Sequence, residues 1–169
     1  MAEGRFWGAG AAMAGCFFLC GGTHGQGALN SVDCFDVETA QWKALPGMLN
    51  RRVWHVACAI CGVLYVCGGK EGQKSLKSAE YFDLNFGEWE ATEPLSEGRH
   101  GATALSFTSS DGFYVCGGLQ NWEALDTVER FDANLERWID MPSMRCKRGW
   151  PTGVVAQDRL YVCGGRCDQ

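Results

Sequence analysis

The sequence predicts an all-β fold made of consecutive four-stranded units, because three kinds of marker recur in one register. Intervals of 47, 49 and 47 residues separate Gly-Gly pairs that begin at Gly21, Gly68, Gly117 and Gly164. Tryptophan follows the first glycine of a pair by 21 residues at Trp42, Trp89 and Trp138. Aspartate precedes that tryptophan by six residues at Asp36, Asp83 and Asp132. Self-similarity at a fixed period of this length is typical of a repeat architecture.

Each unit divides into four short strands, which we call A to D. Short β-branched and aromatic runs are separated by Gly, Asp, Asn or Pro, and no helical period competes with them. In the second unit, strand A is predicted over 53–60, strand B over 63–67, strand C over 79–82 and strand D around Trp89. A proline follows each repeated tryptophan by four or five residues. It ends strand D where a missing N–H is harmless.

Arginines in a common register mark the start of each unit, at Arg5, Arg52, Arg99 and Arg148. The predicted repeats are 5–51, 52–98 and 99–147, followed by a partial repeat over 148–169. Arg99 precedes its glycine pair by 18 residues, whereas the interval is 16 in the other copies. We therefore expect an insertion in 107–112, where a polar stretch lengthens the hairpin between strands A and B.

The composition agrees with a packed globular chain. Of its 169 residues, 46% are hydrophobic and 21% are charged, which excludes a disordered acidic tail, a collagen and a coiled coil. The formal net charge of -5 disfavours general binding to nucleic acid or to anionic membranes. No apolar run of about 18 residues is present, so no transmembrane helix is expected.

With these markers the chain resembles the kelch repeat family, whose unit is one four-stranded blade of a β-propeller. The resemblance rests on the paired glycines, on the Phe-Asp step and on the tryptophan six residues beyond the Asp. Phenylalanine stands where the family usually has tyrosine, and cysteine precedes every Gly-Gly pair. The resemblance implies a kelch-type β-propeller, most similar to that of BTB-kelch proteins.

Propellers need about four to eight blades to close a ring. The predicted propeller is therefore incomplete, an open arc of about three and a half blades. Two explanations remain open, namely a segment of a longer propeller that lacks its other blades, and self-association of two copies.

The ten cysteines are too sparse for a short disulfide scaffold and fit a reducing compartment, so we expect a cytoplasmic or nuclear protein. One cysteine per repeat is expected to be a small buried residue at the end of strand B, at Cys20, Cys67, Cys116 and Cys163. The pair Cys58 and Cys61 lacks the second pair that a zinc site requires. A lipid-modified signal ending at Cys16 is an alternative for the N-terminus, although the repeat register already explains these residues.

Strands that alternate in direction place the B–C and D–A connections of every blade on one side, which we call the loop face. Trp122 breaks the tryptophan register there and lies with Asn121 in a polar B–C loop, so we predict that it anchors an interface. The alternative is that Trp122 folds back onto its own blade.

The D–A connections add a basic rim to this acidic chain, made of Arg51, Arg52, Arg99, His100, Arg145, Lys147 and Arg148. We predict that the rim binds an acidic or carboxylate-bearing segment of a partner protein through paired hydrogen bonds. The alternative is that the recurring arginines pair with recurring acids, at Asp33, Glu80 and Glu129. His55 joins the predicted partner-binding set, and a metal site formed by His24, His55 and His100 is disfavoured because no carboxylate or thiolate partners are evident.

Resemblance to kelch repeats implies a protein-protein interaction module, such as the propeller that captures substrates for a cullin-type ubiquitin ligase. An actin-binding kelch protein is a further reading of the same resemblance. The competing class is an enzyme, since some kelch propellers resemble copper oxidases or sugar isomerases. No activated nucleophile, acid pair or phosphate-binding loop is visible in the sequence, so no catalytic residue and no cofactor is predicted.

Overall fold

The computed structural model describes residues 4–107 and 111–167, which form strands and connecting loops without a helix. The first sheet contains β1 (Ala9–Met13), β2 (Cys16–Cys20), β3 (Val32–Asp36) and β4 (Gln41–Leu45). The next strands are β5 (Val56–Ile60), β6 (Val63–Cys67), β7 (Lys70–Glu71), β8 (Lys74–Ser75), β9 (Ala79–Asp83) and β10 (Trp89–Thr92). They are followed by β11 (Thr103–Ser106), β12 (Gly112–Cys116), β13 (Leu119–Gln120), β14 (Glu123–Ala124), β15 (Val128–Asp132) and β16 (Arg137–Met141). The last strands are β17 (Thr152–Ala156) and β18 (Arg159–Cys163).

The long strands pair antiparallel in chain order and form three four-stranded blades and one two-stranded half blade. Strands β7 with β8 and β13 with β14 form separate small hairpins inside the B–C loops of blades two and three. The A strands β1, β5, β11 and β17 contact one another from blade to blade, so they line the axis of the arc. The predicted all-β, incomplete propeller with an open arc is confirmed.

Strand A of blade two begins later than predicted. It starts at Val56, because Trp54 has a φ of 55° and interrupts the extended backbone. Val53 instead forms an isolated bridge with Lys70 of the B–C hairpin. The sequence reading also missed both small hairpins, and its predicted insertion falls partly on 108–110, which lie outside the described residues.

Two apolar cores fill the spaces between neighbouring blades. Phe18 and Val32 of blade one pack with Leu64 and Phe82 of blade two, and all four are buried. Val56 and Ile60 of blade two pack in the same way against blade three. Full burial of one such side chain stabilises the fold by about 1.5–3 kcal/mol. The blades are therefore held together by apolar packing, and the loop face is built on a rigid arc.

The Gly-Gly pairs turn the chain at the end of strand B, where two blades come close. Gly68 has a φ of 65°, and a Cβ there would lie 2.6 Å from the Arg99 carbonyl oxygen of the next blade. The Gly69 N–H donates to that same oxygen at 2.7 Å. A residue with a side chain would lose this contact between blades, which explains why glycine recurs at the position.

The repeated cysteine is buried in the three complete blades, as predicted. Burial raises the pKa of the thiols of Cys20 and Cys67 to about 12, so these side chains behave as apolar residues. For Cys163 the prediction of burial is wrong, because this residue is exposed. Its strand, β18, pairs only with β17 in the described part of the chain, and no third strand covers it there.

The strand-D tryptophans of blades two and three join each of these blades to the preceding one. Trp42, Trp89 and Trp138 lie opposite the repeated phenylalanine of strand C, with ring centroids 5.1, 5.3 and 5.1 Å apart. Trp89 Nε1 donates to the Pro46 carbonyl oxygen at 2.9 Å, and Trp138 Nε1 donates to the Glu93 carbonyl oxygen at 2.7 Å. Both acceptors belong to the preceding blade. The predicted marker is therefore a link between blades.

Candidate partner-binding surface

The recurring arginines are paired inside the scaffold. Arg52 Nη2 lies 2.8 Å from Glu80 Oε1, and both side chains are inaccessible to solvent. In blade three, Arg99 Nη2 lies 2.6 Å from Glu129 Oε1, and both side chains are again buried. Arg5 pairs with Asp33 in the first blade. These are the pairs that the alternative reading of the recurring charges describes.

Four residues of the predicted binding set are not available for direct contact, since Arg52, Arg99, His55 and His100 are all buried and none of them lines a cleft of the loop face described below. Burial lowers the pKa of His55 to about 3 and, with help from the charge of Lys70, that of His100 to about 4. Both imidazoles are therefore neutral at pH 7. We correct the predicted set accordingly and assign these four residues to the support of the surface.

A repeated position that the sequence reading missed lies two residues after each repeat arginine. It is occupied by Trp7, Trp54, Gly101 and Trp150, with φ values of 62°, 55°, 59° and 52°. The N–H of Trp54 donates to the Trp7 carbonyl oxygen at 2.9 Å, and the N–H of Gly101 donates to the Trp54 carbonyl oxygen at 2.7 Å. The N–H of Trp150 continues the series to Gly101 at 2.9 Å. An Arg-x-Trp spacing in three of the four copies was the available signal.

Glycine in the third copy makes room for the indole of the fourth. A Cβ on Gly101 would lie 2.6 Å from the Trp150 ring. Trp122, from the β13–β14 hairpin, has its ring centroid 6.1 Å from that of Trp150 and 6.0 Å from that of Trp54. Trp7 lies 4.7 Å beyond Trp54. We call Trp7, Trp54, Trp122 and Trp150 the tryptophan cluster.

Trp122 occupies a strained position. Asn121 and Trp122 form the two-residue turn between β13 and β14, with φ values of 51° and 71°, where such turns favour glycine at the second residue. Its side chain packs across the blades on Lys70 and Trp150 as well as on His100 of its own blade, yet 44% of the residue stays exposed. The alternative that Trp122 folds back onto its own blade therefore accounts for only one of these contacts.

Two polar clefts flank the Trp122 hairpin on the loop face. The cleft toward blade two has a volume of about 480 Å³, and its lining includes Lys74, Lys77, Asn50 and Asn121. We call it the lysine cleft. The cleft toward the half blade has a volume of about 540 Å³, and its lining includes Asn121, Trp122 and Lys147.

The rest of the predicted rim is more accessible than the paired arginines. Arg51, Arg145 and Lys147 are exposed, whereas Arg148 is half-buried and donates from Nη1 to the Gly164 carbonyl oxygen. The structure therefore brings Asn121, Trp122 and Lys147 together at one cleft. Arg51 and Arg145 lie on the D–A connections before blades two and four.

Residues 4–107 and 111–167 contain no group of three or more His, Cys, Asp or Glu side chains that could hold a metal ion. The same residues include no helix long and apolar enough to cross a membrane.

The fold and the repeat register define a class of propeller, and comparison with known families identifies it. The model of the KLHDC2/KLHL20/DRC7 Kelch-repeats domain matches residues 8–169. The chain therefore belongs to the kelch repeat family. No curated protein matches the chain. Kelch-repeat domains generally act as protein-interaction propellers, and this coarse function extends to the chain.

Proposed function

We propose that the loop face binds a segment of a partner protein, with Trp122 as the central anchor. The observation that carries this proposal is the combination of strain and exposure at Trp122, a bulky residue at a φ of 71° that remains 44% exposed. Backbone strain persists where the surroundings enforce it, and it collects at binding sites. Exposed tryptophan surrounded by further aromatic residues is typical of the residues that dominate binding energy.

The test replaces Trp122 by glycine, which the turn favours, and compares it with Phe86→Ala. Phe86 is 78% exposed in a C–D connection on the opposite side. A pull-down with the full chain first identifies a partner, and calorimetry with the purified partner then gives Kd. We expect Trp122→Gly to weaken binding by about 30-fold or more, which corresponds to about 2 kcal/mol, and Phe86→Ala to leave it unchanged. Equal Kd values for Trp122→Gly and the wild type would rule out the anchor.

We further propose that the partner segment is acidic. Lys74 and Lys77 line a cleft whose other named residues are uncharged, and Arg51, Arg145 and Lys147 are exposed on the same face. Cations that surround a binding surface speed association and suppress unsuitable partners more than they add affinity.

Charge reversal tests the acidic preference. Arg51→Glu combined with Arg145→Glu should lower the association rate and weaken its dependence on salt, because steering by these cations is lost. Arg159→Glu is the control, since Arg159 is exposed at the start of strand B of the half blade, next to the A–B connection on the opposite side. Stopped-flow association at two ionic strengths measures both effects. An unchanged association rate in the double variant would contradict the proposal that the partner segment is acidic.

At the level of the cell, we propose that the partner is a substrate presented to a cullin-type ubiquitin ligase, in the cytoplasm or nucleus. Family membership supports this proposal, because kelch-repeat domains are interaction propellers. Raising the level of the full chain should shorten the partner's half-life, and this effect should disappear in Trp122→Gly. Recovery of a cullin scaffold with the wild-type chain is the second expected result. A partner whose half-life is independent of the chain would favour the actin-binding or other non-degradative reading.

A further inference from the structure

One scaffold position carries a charge in blade two and none in its neighbours. The half blade has Arg166 two residues after the first glycine of its pair, and the complete blades have Thr23, Lys70 and Leu119 there, which are 5%, 4% and 0% exposed. The backbone of each bridges the residue after the repeat arginine, at Phe6, Val53 and His100. Threonine and leucine show that the fold needs no charge at this position. The lysine in blade two therefore calls for another explanation.

The ammonium group of Lys70 lies among aromatic rings. Its Nζ is 4.0 Å from the Trp122 ring centroid and 5.9 Å from the Trp54 centroid. None of the ion pairs found among the described residues includes Lys70. Cation–π contact offsets part of the cost of burying this charge, but burial of a charge without an anion remains costly. Lys70 thus presents a positive charge that the described part of the chain does not neutralise.

A groove leads along the tryptophan cluster to this charge. Phe6, Trp7, Val53 and Trp54 form its apolar walls, and its volume is about 370 Å³. Among the described residues that line it, Lys70 is the only charged one. We call it the Lys70 groove. Phe6 and Trp7 are about half exposed, so the groove opens to solvent along its aromatic side. This volume is within the range of ligand-binding clefts, which is about 300–1,000 Å³.

We propose that the Lys70 groove binds an apolar side chain of the partner segment, with the carboxylate of a neighbouring Asp or Glu side chain on the Lys70 ammonium. This inference rests on the proposed function of the loop face and specifies the chemistry of the segment. The apolar walls favour an aromatic or aliphatic side chain, and a single cation in the groove lining is complementary to one anion. A phosphate would call for several donors, whereas the described groove lining supplies one basic side chain.

Selection of displayed peptides that bind the full chain tests the inference before any partner has been identified. Random twelve-residue segments are displayed as internal parts of a coat protein, so that every carboxylate comes from a side chain. We expect enriched segments to carry Asp or Glu within two residues of an aromatic or aliphatic residue. Enrichment without acidic residues would overturn the inference.

Variants on both sides of the contact sharpen the test. An enriched peptide and its Glu→Gln form should differ in Kd by about tenfold on the wild-type chain, which requires no change in the protein. Lys70→Met keeps the apolar stem and the backbone bridge, and it should abolish this difference while apolar selection remains. Lys43→Met, at an exposed lysine of β4, should preserve it. A tenfold difference that survives in Lys70→Met would contradict the assignment of Lys70.

Trp122→Gly separates this inference from the proposed function. Loss of all peptide binding in Trp122→Gly, with a charge preference that depends on Lys70, supports both. Unchanged binding in Trp122→Gly overturns the anchor, while the Lys70 comparison still decides the inference. Binding that requires Trp122 but ignores the Glu→Gln change supports the loop face as the binding surface and overturns the Lys70 groove.

Discussion

Two sets of tryptophans in this chain have opposite surroundings. The strand-D residues Trp89 and Trp138 are covered by neighbouring side chains, and each Nε1 donates to a carbonyl of the preceding blade. Trp122 and Trp150 of the tryptophan cluster lie at φ values of 71° and 52° and are 44% and 41% exposed. The first set links neighbouring blades without a positive φ, whereas the second adopts positive φ values and keeps a large exposed fraction. Residue type therefore does not reveal the role, but position in the blade does.

The same contrast holds for the cations. Arg52 is matched by Glu80 in the interior, as Arg99 is by Glu129, whereas Lys70 lies against indole rings and in none of the ion pairs of the described residues. Repeated charges serve the scaffold, and the charge that occurs in one complete blade lies at the proposed site. We expect changes to the first group to affect stability and changes to the second to affect binding.

The largest expected effect comes from breaking a buried pair. Glu80→Ala leaves the Arg52 guanidinium unpaired in the interior, although it keeps hydrogen bonds to the Gly68 and Ser78 carbonyl oxygens. We expect the free energy of unfolding to fall by about 3–5 kcal/mol, because the uncompensated charge is buried. Urea unfolding measures the loss, and Lys70→Met is the matched control. A loss below about 1 kcal/mol in Glu80→Ala would contradict the scaffold role.

Acidification from pH 7 to 5 is expected to have the next largest effect. His55 and His100 have pKa values lowered to about 3 and about 4, so below pH 6.5 the unfolded chain binds protons that the folded chain does not. Stability should therefore be highest above pH 6.5 and should fall between pH 6.5 and 4, approaching about 1.4 kcal/mol per pH unit for each histidine. Urea titrations from pH 7 to 5 test the slope, which should flatten in His55→Leu combined with His100→Gln. If the free energy of unfolding of the double variant still falls with the same slope, the pH dependence arises from other titratable groups.

A smaller effect is expected from the hydrogen bond between blades one and two. Trp89→Phe keeps an aromatic ring but removes the donor to the Pro46 carbonyl oxygen, and should lower the free energy of unfolding by about 1–3 kcal/mol. Trp42→Phe is the control, because Trp42 is 39% exposed in the first blade. Thermal unfolding of the two variants gives the comparison. Equal losses would mean that the link between blades contributes nothing specific.

The fold was predictable because scaffold requirements recur. Each complete blade needs glycine at the close approach near Gly68 and a buried residue such as Cys67 before it, and the sequence repeats both in all four copies. The exceptions arise where the surroundings differ. Cys163 is exposed because no third strand covers β18 in the described part of the chain, and strand A of blade two starts late because Trp54 adopts a positive φ.

The candidate site was less predictable, because it depends on contacts between copies. The place of Trp122 outside the tryptophan register marked it as an outlier in the sequence. Its contacts with Lys70 and Trp150 follow from the packing of neighbouring blades, which the sequence does not show. The prediction that Arg52 and Arg99 lie on the rim was wrong, and the signal for their burial was their recurrence together with Glu80 and Glu129, which pair with them in the interior. The Arg-x-Trp spacing could have revealed three of the four residues that lie two positions after a repeat arginine, namely Trp7, Trp54 and Trp150.

The central claim is that Trp122 is held for binding and not for stability. Its most direct test is the free energy of unfolding of Trp122→Gly relative to the wild-type chain, measured in urea at pH 7.5. We expect a change of less than about 1 kcal/mol, because relief of the positive φ offsets the lost ring contacts. A loss of about 3 kcal/mol or more, as for a tryptophan of the core, would show that Trp122 belongs to the scaffold and would contradict the account.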